Sequence, residues 1–469
     1  MDSVRFGRLP IQGAAGPPGA APRPRRRGWR CLACAGLATL TALPAGAVQV
    51  EGRLTTLAQS RERYEQGSDG KDLDLYQFGT LNAYDLLGRR RLSLHLDGFG
   101  VVDLRGQPRE EDRDAELTSA FLQWQDRGRG LFLRAGRQYV RVGVTSDRLD
   151  GVYGDYLSPF HVGLQAFGGK PVNSDVSGDS GDYQWGSRLY LRYPRFEVGV
   201  SAMEMRDDDQ VGFVQVGGDG WFQVADTIAV SGHGYYDRVN QEWYDFQGLV
   251  TWDVSSKLVV SADGRRVIPN LFLSHTSIFG SEIFSTGEQR EYGARADYRA
   301  NRHLSLAAYA RYYDYSEGDQ DQWTGGAEAR YRWGAILENL VGAAYDFQED
   351  LWTGRLFGRF THRLPRVTNY PDVRDLFGSF DLIYDSYDQE IFPGDGRDYS
   401  YAAILTGGVD VGDHWQLTLG LDYGSRPDYR DTKTVPLDDG EVTVPLTRNS
   451  GLGYRNDLDV TVKLVYNIF

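Results

Sequence analysis

Four stretches of the chain set arginines at alternating positions against a row of apolar side chains. In Tyr183 to Tyr193, Arg188 and Arg192 oppose Trp185, Leu189, Leu191 and Tyr193. Arg295 and Arg299 oppose Tyr292, Ala294, Ala296 and Tyr298, while Glu328, Arg330 and Arg332 oppose Trp323, Ala327, Ala329, Tyr331 and Trp333. Arg355 and Arg359 oppose Trp352, Leu356 and Phe360. Guanidinium forks match the geometry of carboxylate and phosphate. A wall carrying them could set a selective field for passing anions without making or breaking a bond. The same residues also serve as paired charges around a hydrated interior, and the sequence leaves both readings open.

Bond-making chemistry has little footing. The seven histidines are scattered, none paired at metal-ligand spacing, and there is no G-x-S-x-G elbow. Alternation puts His303 and Ser305 on one strand face, which chance alone provides. Glu317-Gly318-Asp319-Gln320-Asp321 is acidic but lacks the spacing of an EF-hand. Cys31 and Cys34 fall inside an export signal. The expectation is therefore a protein that is not an enzyme and carries no cofactor or metal.

The elements that position the arginines have a period of two. Alternation closed by turns runs from Val48 onward, with aromatics at both ends of a strand and aliphatics between, as in Trp415, Leu417, Leu419, Leu421 and Tyr423. Charges on the other face cost several kcal/mol against mid-bilayer lipid, so they face a lumen. A soluble sandwich also alternates, but its strands average about 5–6 residues, whereas these are longer. The long arginines also need a wide wet interior rather than a second sheet. Composition agrees: Gly 57, Tyr 29, Phe 21 and Trp 10 in 469 residues, with a mean hydropathy of -0.47. The longest apolar run, Cys31 to Leu43, covers 13 residues, short of the roughly 20 a membrane helix needs.

The fold expected is all-β, a closed antiparallel transmembrane β-barrel of about 20 strands, within a range of about 16–22, with short periplasmic turns and long acidic outer loops. Residues 1–47 read as a signal peptide: Arg23, Arg25, Arg26, Arg27 and Arg30 are its basic region, Cys31 to Leu43 its apolar region, and Ala45-Gly46-Ala47 its cleavage site. Residues 48–469 form the barrel, which starts almost at once and leaves no plug expected. Cleavage leaves 44 basic and 64 acidic side chains, a net charge of about −20, which argues against nucleic acid. The count of about 20 strands treats residues 143–181 as one long loop. Its apolar middle suits inward folding, which would make Asp147, Arg148, Asp150 and Asp155 constriction residues. A hidden hairpin in the same segment would raise the count to about 22.

The last strand, with Val460, Val462, Leu464, Tyr466 and Ile468 ahead of a terminal Phe469, resembles Gram-negative outer-membrane barrel proteins, whose assembly signal is a terminal aromatic; the apolar set here runs one residue out of phase with Phe469. The 143–181 segment is similar in rank and length to the inward loop of general porins. Gly136-Arg137-Gln138 with Leu149-Asp150-Gly151 resembles a pattern of specialised porins such as alginate exporters. The resemblance implies an outer-membrane, porin-like channel for passive diffusion of small hydrophilic solutes, anionic ones among them. Its implied partners are the lipid bilayer, lipopolysaccharide and the outer-membrane assembly machinery, with a homo-oligomer left open. A different class stays open as well: a barrel sheath around a partner such as a multihaem cytochrome. N-terminal sequencing of the membrane-extracted protein is expected to begin at Val48; a chain retaining residues upstream of Ala47 would overturn the cleavage reading.

Overall fold

In hydrocarbon every backbone N–H and C=O must be paired inside the protein, and for a strand-forming chain only closure achieves this. The structure is a computed structural model that describes residues 48–65, 68–86, 91–104, 115–172, 183–207, 210–268, 288–315, 321–333, 340–348, 351–363, 373–387, 398–428, 432–437, 440–445 and 453–468. The expected signal peptide 1–47 and Phe469 lie outside these residues.

The strands are β1 (Gln49–Glu65), β2 (Ser68–Tyr84), β3 (Leu92–Asp103), β4 (Ala115–Asp126), β5 (Leu131–Val142), β6 (Thr145–Leu157), β7 (Val162–Pro171) and β8 (Tyr183–Tyr193). Next come β9 (Phe196–Asp207), β10 (Gln210–Ala225), β11 (Ile228–Asp237), β12 (Glu242–Ser255), β13 (Leu258–Val267), β14 (Gln289–Arg299), β15 (Leu304–Tyr315) and β16 (Gln322–Arg332). The remainder are β17 (Leu340–Gln348), β18 (Leu351–Arg363), β19 (Val373–Tyr387), β20 (Tyr399–Val411), β21 (Trp415–Asp428), β22 (Thr432–Leu437), β23 (Gly440–Pro445) and β24 (Gly453–Ile468). Strands β22 and β23 pair only with each other. The other 22 form one antiparallel sheet that closes where β1 meets β24, from Gly52 opposite Ile468 to Ser60 opposite Val460.

The outer surface is an apolar belt between two aromatic girdles. One girdle is a chain of ring contacts, Tyr292 to Tyr312 at 6.5 Å and on to Trp323 at 4.9 Å, then Tyr345, Trp352, Tyr384 and Tyr399 at 5.8–6.0 Å. At the other end Trp415 meets Tyr466 at 4.5 Å. A rise of about 3.3 Å per residue and a tilt of about 40° make the stretch from Trp323 to Trp333 roughly 25 Å tall, the height of such a belt. The abundant glycines seat aromatic rings lying flat on neighbouring strands: a Cβ on Gly163 would stand 2.0 Å from the Tyr190 ring, and one on Gly342 would stand 2.4 Å from that of Phe357.

The 143–181 segment is not one loop. Residues 145–157 and 162–171 are strands joined by the tight turn Ser158–His161, closed by the Ser158 amide to the Val162 carbonyl at 2.9 Å, and from Leu149 to Leu157 the first pairs with the second in the wall. That hairpin raises the expected count of about 20 to 22. Five glycines, Gly151, Gly154, Gly163, Gly168 and Gly169, thin the alternation there and disguise both strands as a link.

The fold departs from a plain barrel at the top of β5 and β6. Pairing of β4 with β5 ends at Ala120 opposite Arg137, and pairing of β6 with β7 ends at Leu149 opposite Pro171. Between these limits the β5–β6 hairpin pairs only with itself, down to Val142 opposite Thr145. The crease where it leaves the wall is a row of three glycines in register, Gly136 opposite Gly151 and Gly151 opposite Gly169. Gly136 has φ 125°, and a Cβ there would lie 2.2 Å from the Ala120 carbonyl oxygen. Gly136→Val should therefore cost about 1–3 kcal/mol and reduce the heat-modifiable folded fraction on gels. Gly248→Ala, whose Cβ meets nothing within 4 Å, should not; equal behaviour of the two would remove the crease from the account.

Candidate functional site

Beyond the crease the hairpin turns into the lumen and lies against the inner wall. Val140, Val142, Val144 and Leu149 form an apolar cluster with Phe167 of β7, Met203 and Met205 of β9 and Phe213 of β10, flanked by Tyr153 and Tyr235. Full burial of each such side chain contributes roughly 1.5–3 kcal/mol, which holds the tip down. Directional contacts fix its position: the Val144 amide donates to Ser201 Oγ at 3.1 Å, and Thr145 Oγ1 donates to Met203 Sδ at 2.9 Å. Gly143, at φ 51°, lets the tip touch the wall, since a Cβ there would lie 2.1 Å from Ser201 Oγ.

The other face of the hairpin carries Tyr139, Arg141 and Ser146, all exposed, with the two hydroxyls 2.5 Å apart. Tyr139 and Arg141 border a cavity of about 570 Å³ whose other lining includes Arg127, Phe132, Arg134, Tyr153, Asp155, Tyr190 and Arg192. Arg134 is held between the Phe121 and Phe132 rings at 5.0 and 4.7 Å, a pair of cation–π contacts.

The arginines read from the sequence fall into two groups. Arg188 is pinned: its side chain is 8% exposed, it bridges Glu197 at 2.9 Å and Asp219 at 3.0 Å, and the hairpin tip covers it. Arg192 pairs with the same Glu197 at 2.5 Å yet stays open to the cavity. Arg355 is bound to Asp381 at 2.8 Å, and Arg359 lies on the same polar face of β18, exposed. Arg295, Arg299, Glu328, Arg330 and Arg332 come together around one depression of about 240 Å³ near the short-turn end of the wall.

The four acidic and basic residues expected of a constriction loop do not share a loop. Asp147 is on the docked face of the hairpin, buried, and accepts from the Arg148 amide at 2.8 Å. Arg148 reaches Glu116 at 2.5 Å, and Asp150 is forked by Arg137 at 2.8 Å beside the crease. Asp155 belongs to the wall of β6, where it accepts from the Tyr190 hydroxyl at 2.8 Å. Of the longer or more acidic outer links, residues 105–114, 173–182, 208–209, 269–287, 316–320, 388–397, 429–431, 438–439 and 446–452 lie outside the described residues. At that end Glu288 is described: its carboxyl is held at about 2 by the Arg266 hydrogen bond at 2.7 Å, against burial, with Arg290 adding a second.

His303 and Ser305 do not act on each other, because His303 Nδ1 bonds the Arg332 carbonyl at 2.9 Å and its Nε2 accepts from Arg302 at 2.7 Å. A chain of three polar groups that alternation did not single out does occur: Ser93 Oγ is 2.9 Å from His95 Nε2, and His95 Nδ1 is 2.7 Å from Asn82 Oδ1. That is the connectivity of a nucleophile, a base and its orienting group. Ser93 is only 7% exposed, however, and the His95 ring is stacked on Phe121 at 4.8 Å, so the trio knits β2 to β3 inside the wall. Among the described residues no group of three or more His, Cys, Asp and Glu could hold a metal ion.

No protein-family model matches the chain, and no curated protein matches it either. Solved structures do. A variant of the ferric enterobactin receptor PfeA from Pseudomonas aeruginosa aligns at TM-score 0.52 and 9% identity, covering 90% of this chain and 81% of the receptor. The translocation pore of the P pilus usher PapC aligns at TM-score 0.48 and 7% identity over 90% and 99% of the two chains. OccAB2 of Acinetobacter baumannii aligns at TM-score 0.40 and 10% identity over 90% and 98% of the two chains. The receptor shares the large closed barrel, and at such identity the likeness is one of fold.

The docked tip is open to a direct check, because both cysteines of the chain, Cys31 and Cys34, precede the barrel. Val144→Cys combined with Ser201→Cys is expected to form a disulfide on mild oxidation, seen as a gel shift reversed by reductant, without loss of the heat-stable form. Two free thiols in the folded protein would mean that the tip does not rest on β9.

Proposed function

We propose that the protein is an outer-membrane channel for passive diffusion of small hydrophilic solutes, with a mild preference for anions. The observation that carries this reading is the β5–β6 hairpin folded into the lumen. It occupies cross-section while presenting Tyr139 and Arg141 to a water-accessible cavity that Arg134 and Arg192 also line. A narrowed aqueous path is what lets wall charges act, because salt screens a field over roughly 8 Å at physiological strength. In this reading the short-turn end faces the periplasm, and the lipid bilayer with lipopolysaccharide surrounds the apolar belt after delivery by the assembly machinery. The hairpin also takes up space that a coaxial partner such as a multihaem cytochrome would need, which favours a channel over a sheath.

The test is conductance in planar bilayers. Replacing residues 139–148 by a short Asn-Gly turn should raise single-channel conductance, and Arg141→Ala with Arg192→Ala should lower the anion preference at low salt and change little at high salt. Unchanged conductance in the shortened, correctly folded protein would contradict the reading.

A further inference from the structure

The depression at the short-turn end is built as a trough. Its floor is β15, whose lumen-facing residues shrink there to Ser305 and Ala307, while β14 and β16 carry arginines on either side. Register makes the arrangement specific. Arg299 stands opposite Ser305, and Ser305 stands opposite Arg330, so the two arginines flank one small hydroxyl residue across three adjacent strands. With neighbouring strands about 4.8 Å apart, the two arginine backbones are roughly 10 Å apart, a span that two guanidinium arms close over a small ligand but not over each other.

The charges in the trough do not cancel. Lys257, Arg295, Arg299, Arg330 and Arg332 line it against Asp297 and Glu328. Both carboxylates are already committed, Asp297 to a fork from Arg295 at 2.8 Å and Glu328 to Arg330 at 2.9 Å. Among the described residues Lys257, Arg299 and Arg332 have no carboxylate partner. Three cations held around a small-residue floor with a hydroxyl at its centre leave a net charge of three, enough to hold a doubly charged anion. Arg and Ser supply the N–H and O–H donors that such an anion's oxygens accept.

We infer that this trough is a discrete binding site for a tetrahedral dianion, phosphate or sulfate in type, at the short-turn mouth of the barrel. The inference rests on the channel reading for how the ligand arrives and goes beyond it in one respect: a field attracts anions without saturating, whereas a site of this size holds one at a time. The site is also separate from the hairpin cavity, since the two share no lining residue.

The experiment uses the full-length barrel in planar bilayers, with inorganic phosphate as probe and chloride as carrier. Phosphate added on the short-turn side should reduce chloride current saturably, and sulfate should act likewise while acetate should not. Arg299→Ala should raise the half-blocking phosphate concentration about tenfold, the effect of losing one charged hydrogen-bonded fork. Ser305→Leu should do the same by filling the floor with every charge kept. Heat modifiability on gels confirms that each variant is folded, and equilibrium phosphate binding to detergent-solubilised barrel gives the same comparison without current. If chloride conducts but phosphate neither saturates nor binds, the trough is not a site and the channel reading stands; saturation that persists unchanged in both variants places the ligand elsewhere and also overturns the inference. A barrel that passes no current but binds phosphate in a manner lost in both variants supports the site and defeats the channel.

Discussion

Closure of the hydrogen-bonded ladder between β1 and β24 is the constraint on which everything else depends. An open 22-stranded sheet would expose two edges of unpaired amides and carbonyls to hydrocarbon, where each costs several kcal/mol. Once the first and last strands pair over Gly52–Ser60 and Val460–Ile468, the two faces of every strand acquire fixed and opposite solvents. One set must then be apolar and ring-bordered, and the other is free to carry charge. The arginine rows, the glycine-seated rings and the girdles are consequences of that division.

The inward hairpin uses the same division in reverse. Residues that continue the lumen face of β5 and β6 past the crease, Val140, Val142 and Leu149, are apolar because they press on the lumen face of other strands rather than on water. Tyr139 and Arg141, continuing the lipid-facing phase, end up facing water instead. A crease of three glycines in register allows this inversion without breaking the β5–β6 ladder, so the hairpin remains hydrogen-bonded throughout. The tip is then held at mid-wall by Ser201 and by the sulfur of Met203, and it seals Arg188 from the lumen.

Much of this was legible in the sequence, and the exceptions have physical causes. Tyr183–Tyr193, Trp323–Trp333 and Trp415–Tyr423 alternate strictly, because lipid on one side and water on the other leave no freedom in sign. The grouping of Arg295, Arg299, Glu328, Arg330 and Arg332 on one face followed from that phase alone. The strand pair within 143–181 did not stand out, because its glycines serve ring seating and close backbone approach rather than burial. The hairpin's position was also hidden. Alternation shows that Val142 and Arg141 face opposite ways but not that Val142 meets another wall, and the hydrogen bond from Val144 to Ser201 joins residues 57 apart in sequence. The ion pairs that pin Arg188 likewise depend on Asp219, 31 residues away.

The central claim is that a wide barrel is narrowed by one of its own hairpins. Polymer exclusion in planar bilayers measures this directly, by finding the smallest neutral polyethylene glycol that no longer enters the pore and lowers its conductance. The account predicts an exclusion limit well below the bore of an empty 22-stranded barrel. A limit matching the empty bore would contradict it.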